Sequence, residues 1–237
     1  MQAAKKIEKA FILAGGKGER LMPLTRNTPK VMVEVKGKPI LEYNIELAKR
    51  FGVKEVVLGA GHLAEKIRAY FGDGKKFGVK IVYSIESEFL GTGGALKLAQ
   101  RFFGSDFLMM NGDELKDFNP EPILKTHFAE GAVATLCLKE IHDASEFGAV
   151  RLEGSRITSF DEKNVRTKNA TVSAGLYILS PKIFDYLPDG KSSIERDAFP
   201  KIARQGKLFG VLAQGQWLPT DNLQRLENAR KEWGEEL

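Results

Sequence analysis

Residues 9–30 read KAFILAGGKGERLMPLTRNTPK: an apolar run that gives way to three glycines, then to charge, two prolines and no regular period. The run suits a buried strand. The stretch after it surrenders regular hydrogen bonding, and its glycines let backbone approach a ligand and turn N–H groups toward anionic oxygens. With the fixed charges of Arg20 and Lys30 the loop suits a polyphosphate; the alternative is a surface loop with incidental lysines. It lacks the lysine-serine ending of a P-loop, so ATPase chemistry of that type is disfavoured.

Outward from this loop the first half alternates strand and helix patterns. Strands are expected at 9–14, 54–59, 79–85 and in DFLMM up to Asn111. Helices are expected at 39–51, with Pro39 at its first position and Gly52 closing it, at 62–71, and at about 93–103 with Ala95, Leu98, Ala99 and Phe102 on one face. Such a succession means a mostly parallel sheet covered by helices on both faces. After residue 130 strand-like runs crowd together at 132–138, 148–152, 156–160 and 171–179, with helices near 181–187, 195–205 and 222–233. The last would place Leu223, Leu226, Ala229 and Trp233 on one face. Ligands of open α/β sheets lie beyond the carboxyl ends of the strands, which puts loops 15–30, 85–92 and 111–118 on one rim.

Composition narrows the classes. The chain has 237 residues, 43% apolar and 28% charged, with a formal charge of +5. Basic residues alternate with Glu instead of clustering with aromatics, so nucleic acid is not an expected partner. No apolar run could span a bilayer, and MQAAKKIEKA lacks a signal-peptide core, so no membrane partner and a cytoplasmic location are expected. The lone Cys137 excludes disulfides and a cysteine metal site. His62, His127 and His142 lack metal-ligand spacing and read as structural.

Two smaller motifs compete with the first loop or complement it. GAGHLA (59–64) follows a strand, opens a helix and is trailed by Glu86, a fair dinucleotide fingerprint that would make the chain a dehydrogenase. NGDEL places Asp113 just past an apolar strand. Beside a polyphosphate that carboxylate is a natural Mg²⁺ ligand; by itself NGD is also an ordinary turn. Glu114 and Asp117 read as solvated.

Taken in order, LAGGKGERLMPLTRNTPK, FLGTGGA (89–95) and MNGDEL resemble the sugar-1-phosphate nucleotidylyltransferases, also called NDP-sugar pyrophosphorylases. FGAV (147–150), SFDEK (159–163), VSAGLYIL (172–179) and WLPTDN (217–222) continue the likeness across almost the whole chain. The resemblance implies a Rossmann-like mixed sheet of the nucleotide-diphospho-sugar transferase type. It implies a nucleoside triphosphate and a sugar 1-phosphate as substrates and Mg²⁺ as cofactor. Leu13, Ala14, Gly15, Gly16, Gly18, Gly91, Thr92 and Gly112 fall to the nucleotide. Arg20 and Lys30 match the cations at the reacting phosphates, and Asp113 and Asp221 match the metal carboxylates. Gly148, Glu162, Lys163, Ser173 and Gly175 match the sugar-phosphate side.

Glu86 adds a reading from chemistry. An ionised carboxylate only accepts hydrogen bonds; guanine offers it two adjacent donors, whereas uracil flanks its single N–H with carbonyl oxygens. GTP is therefore the preferred expectation, with CTP or UTP as the alternatives. The chain departs from the family's common pattern in Ser173-Ala174-Gly175 for Asn-Ala-Gly and in Asp221-Asn222-Leu223 for Asp-x-Gly-Thr. Trp217 also stands four residues before Asp221 instead of two, a spacing that resembles the glucose-1-phosphate cytidylyltransferases. YSIESEFLGTGGALK and SSIERDAFPKIARQGKL look more like heptose- and mannose-1-phosphate guanylyltransferases. The expectation is one catalytic domain over residues 1–237, without the left-handed β-helix many relatives carry; a homodimer is left open. Competing classes are a nucleotide-sugar-dependent glycosyltransferase, which would use an Asp-x-Asp that the sequence lacks, and a non-catalytic nucleotide-binding relative.

Overall fold

The computed structural model describes residues 6–143, 146–162 and 168–234. They form two compact units, one built from Glu8–Phe89, Met110–Phe118 and the segment from Gln214, the other mainly from Leu90–Met109 and Asn119–Ala213.

In the first unit the strands Lys80–Ile85, Glu55–Ala60 and Lys9–Leu13 run parallel in that order, with Lys9 opposite Glu55 and Glu55 opposite Lys80. Their centres are continuous apolar runs, Ala10–Ile12 and Val56–Leu58, all buried, as expected of strands covered on both faces. The helix Ile40–Arg50 buries Ile40, Leu41, Asn44, Ile45, Leu47 and Ala48 and leaves its charged positions outward. Pro39 is the residue before this helix and not its first turn. It is held by a small hairpin, Glu34–Val35 with Lys38–Pro39, whose two-residue loop places both Lys36 and Gly37 at positive φ. The helix Ala64–Phe71 follows the second strand, and Leu223–Glu232 follows residue 221. In that last helix Leu226 and Ala229 are buried whereas Leu223 is 44% exposed, because Asn222 caps the helix and leaves residue 223 on its outer first turn.

The strand Phe107–Asn111 begins in the second unit, where the order is Phe107–Met109, Lys168–Leu179, Ala134–Asp143, Leu208–Leu212, Arg156–Glu162 and Gly148–Glu153. The long pair Ala134–Asp143 and Lys168–Leu179 is antiparallel, and Leu208–Leu212 joins Ala134–Asp143 in parallel, so the sheet is mixed. The helix Gly91–Leu98 starts earlier than its pattern suggested and passes at Ala99 into a 3₁₀ turn, Gln100–Phe102. The buried face of the helix runs through Ala95, Leu96 and on to Ala99, which leaves Leu98 47% exposed. His127 is buried in the helix Pro120–Glu130, its Nδ1 2.9 Å from the Thr135 hydroxyl, which fits the structural reading of that residue. Among the described residues no helix is long and apolar enough to cross a membrane.

Candidate active site

The glycine loop leaves the first strand into a crowded corner. Ala14 N–H donates to Gly59 O at 2.7 Å, and Gly112 N–H donates to Leu13 O at 3.0 Å. A Cβ on Gly112 would stand 2.4 Å from that same carbonyl, so the turn approaches the strand closely only because it is glycine. A Cβ on Gly15 would stand 2.4 Å from Glu86 Oε1, and one on Gly61 2.8 Å from Glu86 Cγ. The Glu86 side chain thus lies across the backbones of two neighbouring crossovers. Gly18 has φ 68 and opens a 3₁₀ turn, Glu19–Leu21, and its carbonyl accepts from Thr25 Oγ1 at 2.7 Å. Gly16 differs. No heavy atom lies within 4 Å of its would-be Cβ, and its φ is not left-handed.

The same measure disposes of the dinucleotide fingerprint. A Cβ on Gly59 would sit 2.6 Å from the Phe11 ring, and Gly61 is filled by Glu86. Both glycines have packing reasons.

Four charges meet beside the loop. Lys30 Nζ pairs with Asp113 Oδ2, and Arg20 Nη2 with Asp221 Oδ2 at 2.7 Å. Asp221 Oδ1 is also held, at 2.8 Å, by Arg225 Nη1, one helical turn onward. Burial works against ionisation of Asp113, but the Lys30 ammonium and, further off, Lys116 outweigh it and hold the carboxyl below its usual range.

Asp113 and Asp221 are brought together by a short ribbon, Glu114–Lys116 antiparallel to Trp217–Pro219. Just past its last rung the buried Thr220 donates through Oγ1 to Asp113 O at 2.7 Å. The two carboxylates leave the same end. They are hard oxygen donors of the kind Mg²⁺ takes. Among the described residues no three or more His, Cys, Asp or Glu gather, so such an ion would complete its shell from phosphate and water.

The segments that carry Arg20, Asp113 and Asp221 are each pinned by a nearby apolar anchor in one small core. Leu21 lies beside Arg20, Leu115 follows Asp113 by two residues, and Leu226 follows Asp221 by a turn; all are buried with Val33, Val35, Ile40 and Ala229. The buried Asn44 adds polar support, its Nδ2 donating to Glu114 O at 3.0 Å and Gly112 O at 3.3 Å. Nothing local in the sequence marks Asn44, since these partners come from a segment distant in the chain; Arg225 stands four residues after Asp221, a spacing at which opposite charges meet on a helical turn.

Glu114 is not solvated. Its carboxylate accepts from Trp217 Nε1 at 2.8 Å and Asn111 Nδ2 at 3.0 Å, with the side chain 15% exposed. The alternation of a three-residue strand was too short to show it. Asp117 is exposed, as expected, and pairs with Arg50.

In the second unit the other glycine motif is packed solid. A Cβ on Gly91 (φ 74) would stand 2.5 Å from Ser192 O, and one on Gly94 2.3 Å from Gly190 O. Thr92 Oγ1 donates to Glu195 Oε2 at 2.5 Å and accepts from Ile194 N–H at 3.0 Å. Among the residues expected to meet a sugar phosphate, Gly148 pairs with Glu162 across two antiparallel strands. Gly175, at φ 61, lies where the register shifts between Ser173 and Tyr177, and the Ser173 hydroxyl is 3.4 Å from the Tyr177 hydroxyl. Lys163 lies outside the described residues.

This fold, with its glycine loop and paired cations and carboxylates, defines a class. Residues 9–236 match the nucleotidyl transferase family, and the chain belongs to it. It is 35% identical over 229 residues to a UTP–glucose-1-phosphate uridylyltransferase of Synechocystis sp., covering 89% of this chain and 59% of that protein. It is 36% identical over 216 residues to a mannose-1-phosphate guanylyltransferase catalytic subunit beta of Danio rerio, covering 89% and 60%. The chain therefore spans about three-fifths of the length of these curated relatives. HddC from Yersinia pseudotuberculosis, solved in complex with GMP-PN, superposes with a TM-score of 0.81 at 27% identity, covering 96% of this chain and all of that one (100%). A putative glucose-1-phosphate thymidylyltransferase from Bacillus anthracis, at 24% identity and covering 94% of both chains, shares the fold with a TM-score of 0.85.

Proposed function

We propose that the chain transfers a nucleotidyl group from a nucleoside triphosphate to a sugar 1-phosphate, forming a nucleotide-sugar and pyrophosphate with the help of Mg²⁺. The observation that carries this reading is the matched pairing of Lys30 with Asp113 and Arg20 with Asp221 beside an open glycine loop. A catalytic centre that handles several phosphate charges needs cations to offset them and carboxylates to hold a divalent ion, and few reactions need both with no protein base.

In this mechanism an oxygen of the sugar phosphate, already anionic, attacks the α-phosphorus, and the bond to the β-phosphate oxygen breaks in line as pyrophosphate leaves. No proton has to be removed from the nucleophile. Arg20 and Lys30 exchange their carboxylate partners for phosphate oxygens, offsetting the repulsion that grows as water is excluded. Asp113 and Asp221, vacated by those cations, would hold Mg²⁺, which supplies Lewis-acid polarisation of the phosphates when bound. Gly15, Gly16 and Gly18, with Leu13, Ala14 and Gly112, are assigned to the nucleotide; Gly91 and Thr92, which the family resemblance also gives to it, have packing partners of their own in the 190–195 segment. Gly148, Glu162, Lys163, Ser173 and Gly175 are assigned to the sugar phosphate by resemblance.

Relatives named for uridylyl and for guanylyl transfer match equally well, so names do not choose the base. Glu86 favours GTP, because its carboxylate suits the paired donors of guanine and repels the carbonyl oxygens of uracil. Support comes from its placement against Gly15 in the loop itself.

Pyrophosphate release in a matrix of four nucleotides against sugar 1-phosphates tests both levels. Release that requires a sugar phosphate supports the reaction, and its absence for every pair sinks it. GTP turnover no better than that of CTP or UTP would sink the Glu86 argument alone. Asp113→Asn should lower kcat by about 10²–10³-fold, the scale of losing a charge partner in the transition state; near-normal turnover would remove Asp113 from the centre.

A further inference from the structure

The unusual spacing of Trp217 from Asp221 has a structural counterpart. In the ribbon Trp217 faces Lys116 and Pro219 faces Glu114, so these four side chains share one face. From there the indole reaches diagonally, and its Nε1–H donates to Glu114 Oε2 at 2.8 Å. The other carboxylate oxygen accepts from Asn111 Nδ2 at 3.0 Å. Lys116, its side chain fully buried at 0% exposure, donates to Asn111 O at 2.9 Å and lies 3.5 Å from Glu114 Oε2. The network closes on itself around two strands of three residues each.

We propose that Glu114 and Trp217 act as a latch, positioning residues that fix the separation of Asp113 and Asp221. A ribbon of three rungs has little stability of its own, and an isolated two-stranded pair is marginal in water. Asp113 and Asp221 are the residues that feel any slip, since each lies immediately beyond or one residue past the last rung. A small octahedral cation held by both carboxylates tolerates little displacement of either. The latch holds the ribbon at its Trp217 end, and Thr220 holds it at the carboxylate end. A Trp at position 219 would stand on the same face but directly opposite Glu114, on the last rung, whereas Trp217 stands opposite Lys116 and spans both outer rungs by its diagonal bond to Glu114.

The inference rests on the reading of Asp113 and Asp221 as metal carboxylates, and Mn²⁺ binding to the full chain separates the two. Free Mn²⁺ is followed by electron paramagnetic resonance for wild type, Asp113→Asn, Trp217→Phe, Glu114→Gln and the double latch variant, with thermal melts alongside. Trp217→Phe keeps an aromatic side chain and removes the Nε1–H donor together with the pyrrole half of the indole, whose packing loss the melts report. Each single latch variant should weaken Mn²⁺ binding about tenfold, the range seen when support behind a metal ligand is lost. The double variant should be no weaker than either single one, because both break the same bond. Lower melting temperatures with Mn²⁺ affinity within twofold of wild type would overturn the latch and leave a merely structural role. So would losses that multiply in the double variant. Wild type that binds no Mn²⁺, or Asp113→Asn that binds as wild type does, would overturn the metal reading and the latch with it.

Discussion

Two glycine-rich stretches, GGKG at 15–18 and GTGG at 91–94, look alike on paper and differ in what surrounds them. Around Gly91, Gly93 and Gly94 every would-be Cβ falls within 2.7 Å of another residue, twice a backbone carbonyl and once the Ser192 hydroxyl. Around Gly16 there is open space to 4 Å. The first set is glycine because the 190–195 segment lies on it. Gly16 has no such reason within the fold, and under the proposed function its reason is the triphosphate. Glycine count says little; the occupant of the missing side chain's place says which kind of loop it is.

Substitutions at both places test whether the two loops differ in this way. Gly94→Ala drives a methyl into the Gly190 carbonyl and should destabilise the protein by about 3 kcal/mol in chemical denaturation. A loss under about 1 kcal/mol would mean the segments separate easily. Gly16→Ala should do the reverse: unchanged or slightly raised stability, as expected when glycine is replaced at a compatible position, and nucleotide binding weakened about tenfold, or about 1.4 kcal/mol, in titration calorimetry. Unimpaired nucleotide binding would move the triphosphate away from Gly16.

Thr92→Val removes the donor to Glu195 and the acceptor for Ile194 N–H. About 1 kcal/mol of stability should go with them. Weaker nucleotide binding without any loss of stability would instead keep Thr92 on the nucleotide.

The smallest effect belongs to the opposite end of the strands that carry the open loop. There Glu55 is bound by Lys80 at 2.7 Å and Lys9 at 2.9 Å, and these bonds, against the opposing effect of burial, lower its pKa. A folded pKa below the unfolded one, ordinarily about 4.3, contributes stability above that pH and loses it as pH falls through the folded value. With both lysines partly exposed the contribution is under about 1 kcal/mol. Denaturation midpoints between pH 6 and 3 should fall less steeply in Glu55→Gln than in wild type; equal slopes would mean that the triad adds nothing.

The elements legible in the sequence were those with long patterns. Buried runs at 10–12 and 56–58 and the stripe of Ile40–Arg50 announce strands and helix through periodicity that burial enforces. What escaped was short or remote. The Glu34–Pro39 hairpin and the Glu114–Lys116 ribbon carry too few residues to display a period, so Glu114 looked solvated. Leu98 and Leu223 fit an inward stripe by spacing alone, but the buried face of the first helix runs through Leu96 and the second helix begins only after its Asn222 cap. At the site Arg20, Lys30, Asp113 and Asp221 stood in motifs, and the fold pairs them. Asn44 and Thr220 gain their roles from hydrogen bonds to segments distant in the chain, whereas Arg225 carries a local signal, its i, i+4 spacing from Asp221.

The most direct test is a ³¹P NMR reaction with sugar 1-phosphate whose phosphate carries ¹⁸O, the nucleoside triphosphate and Mg²⁺. Attack on the α-phosphorus should yield nucleotide-sugar and unlabelled pyrophosphate in equal amounts, with ¹⁸O in the new phosphate bridge and no reaction when the sugar phosphate is omitted. Release of inorganic phosphate, formation of a nucleoside diphosphate, or no reaction across nucleotides and sugar phosphates would contradict the account.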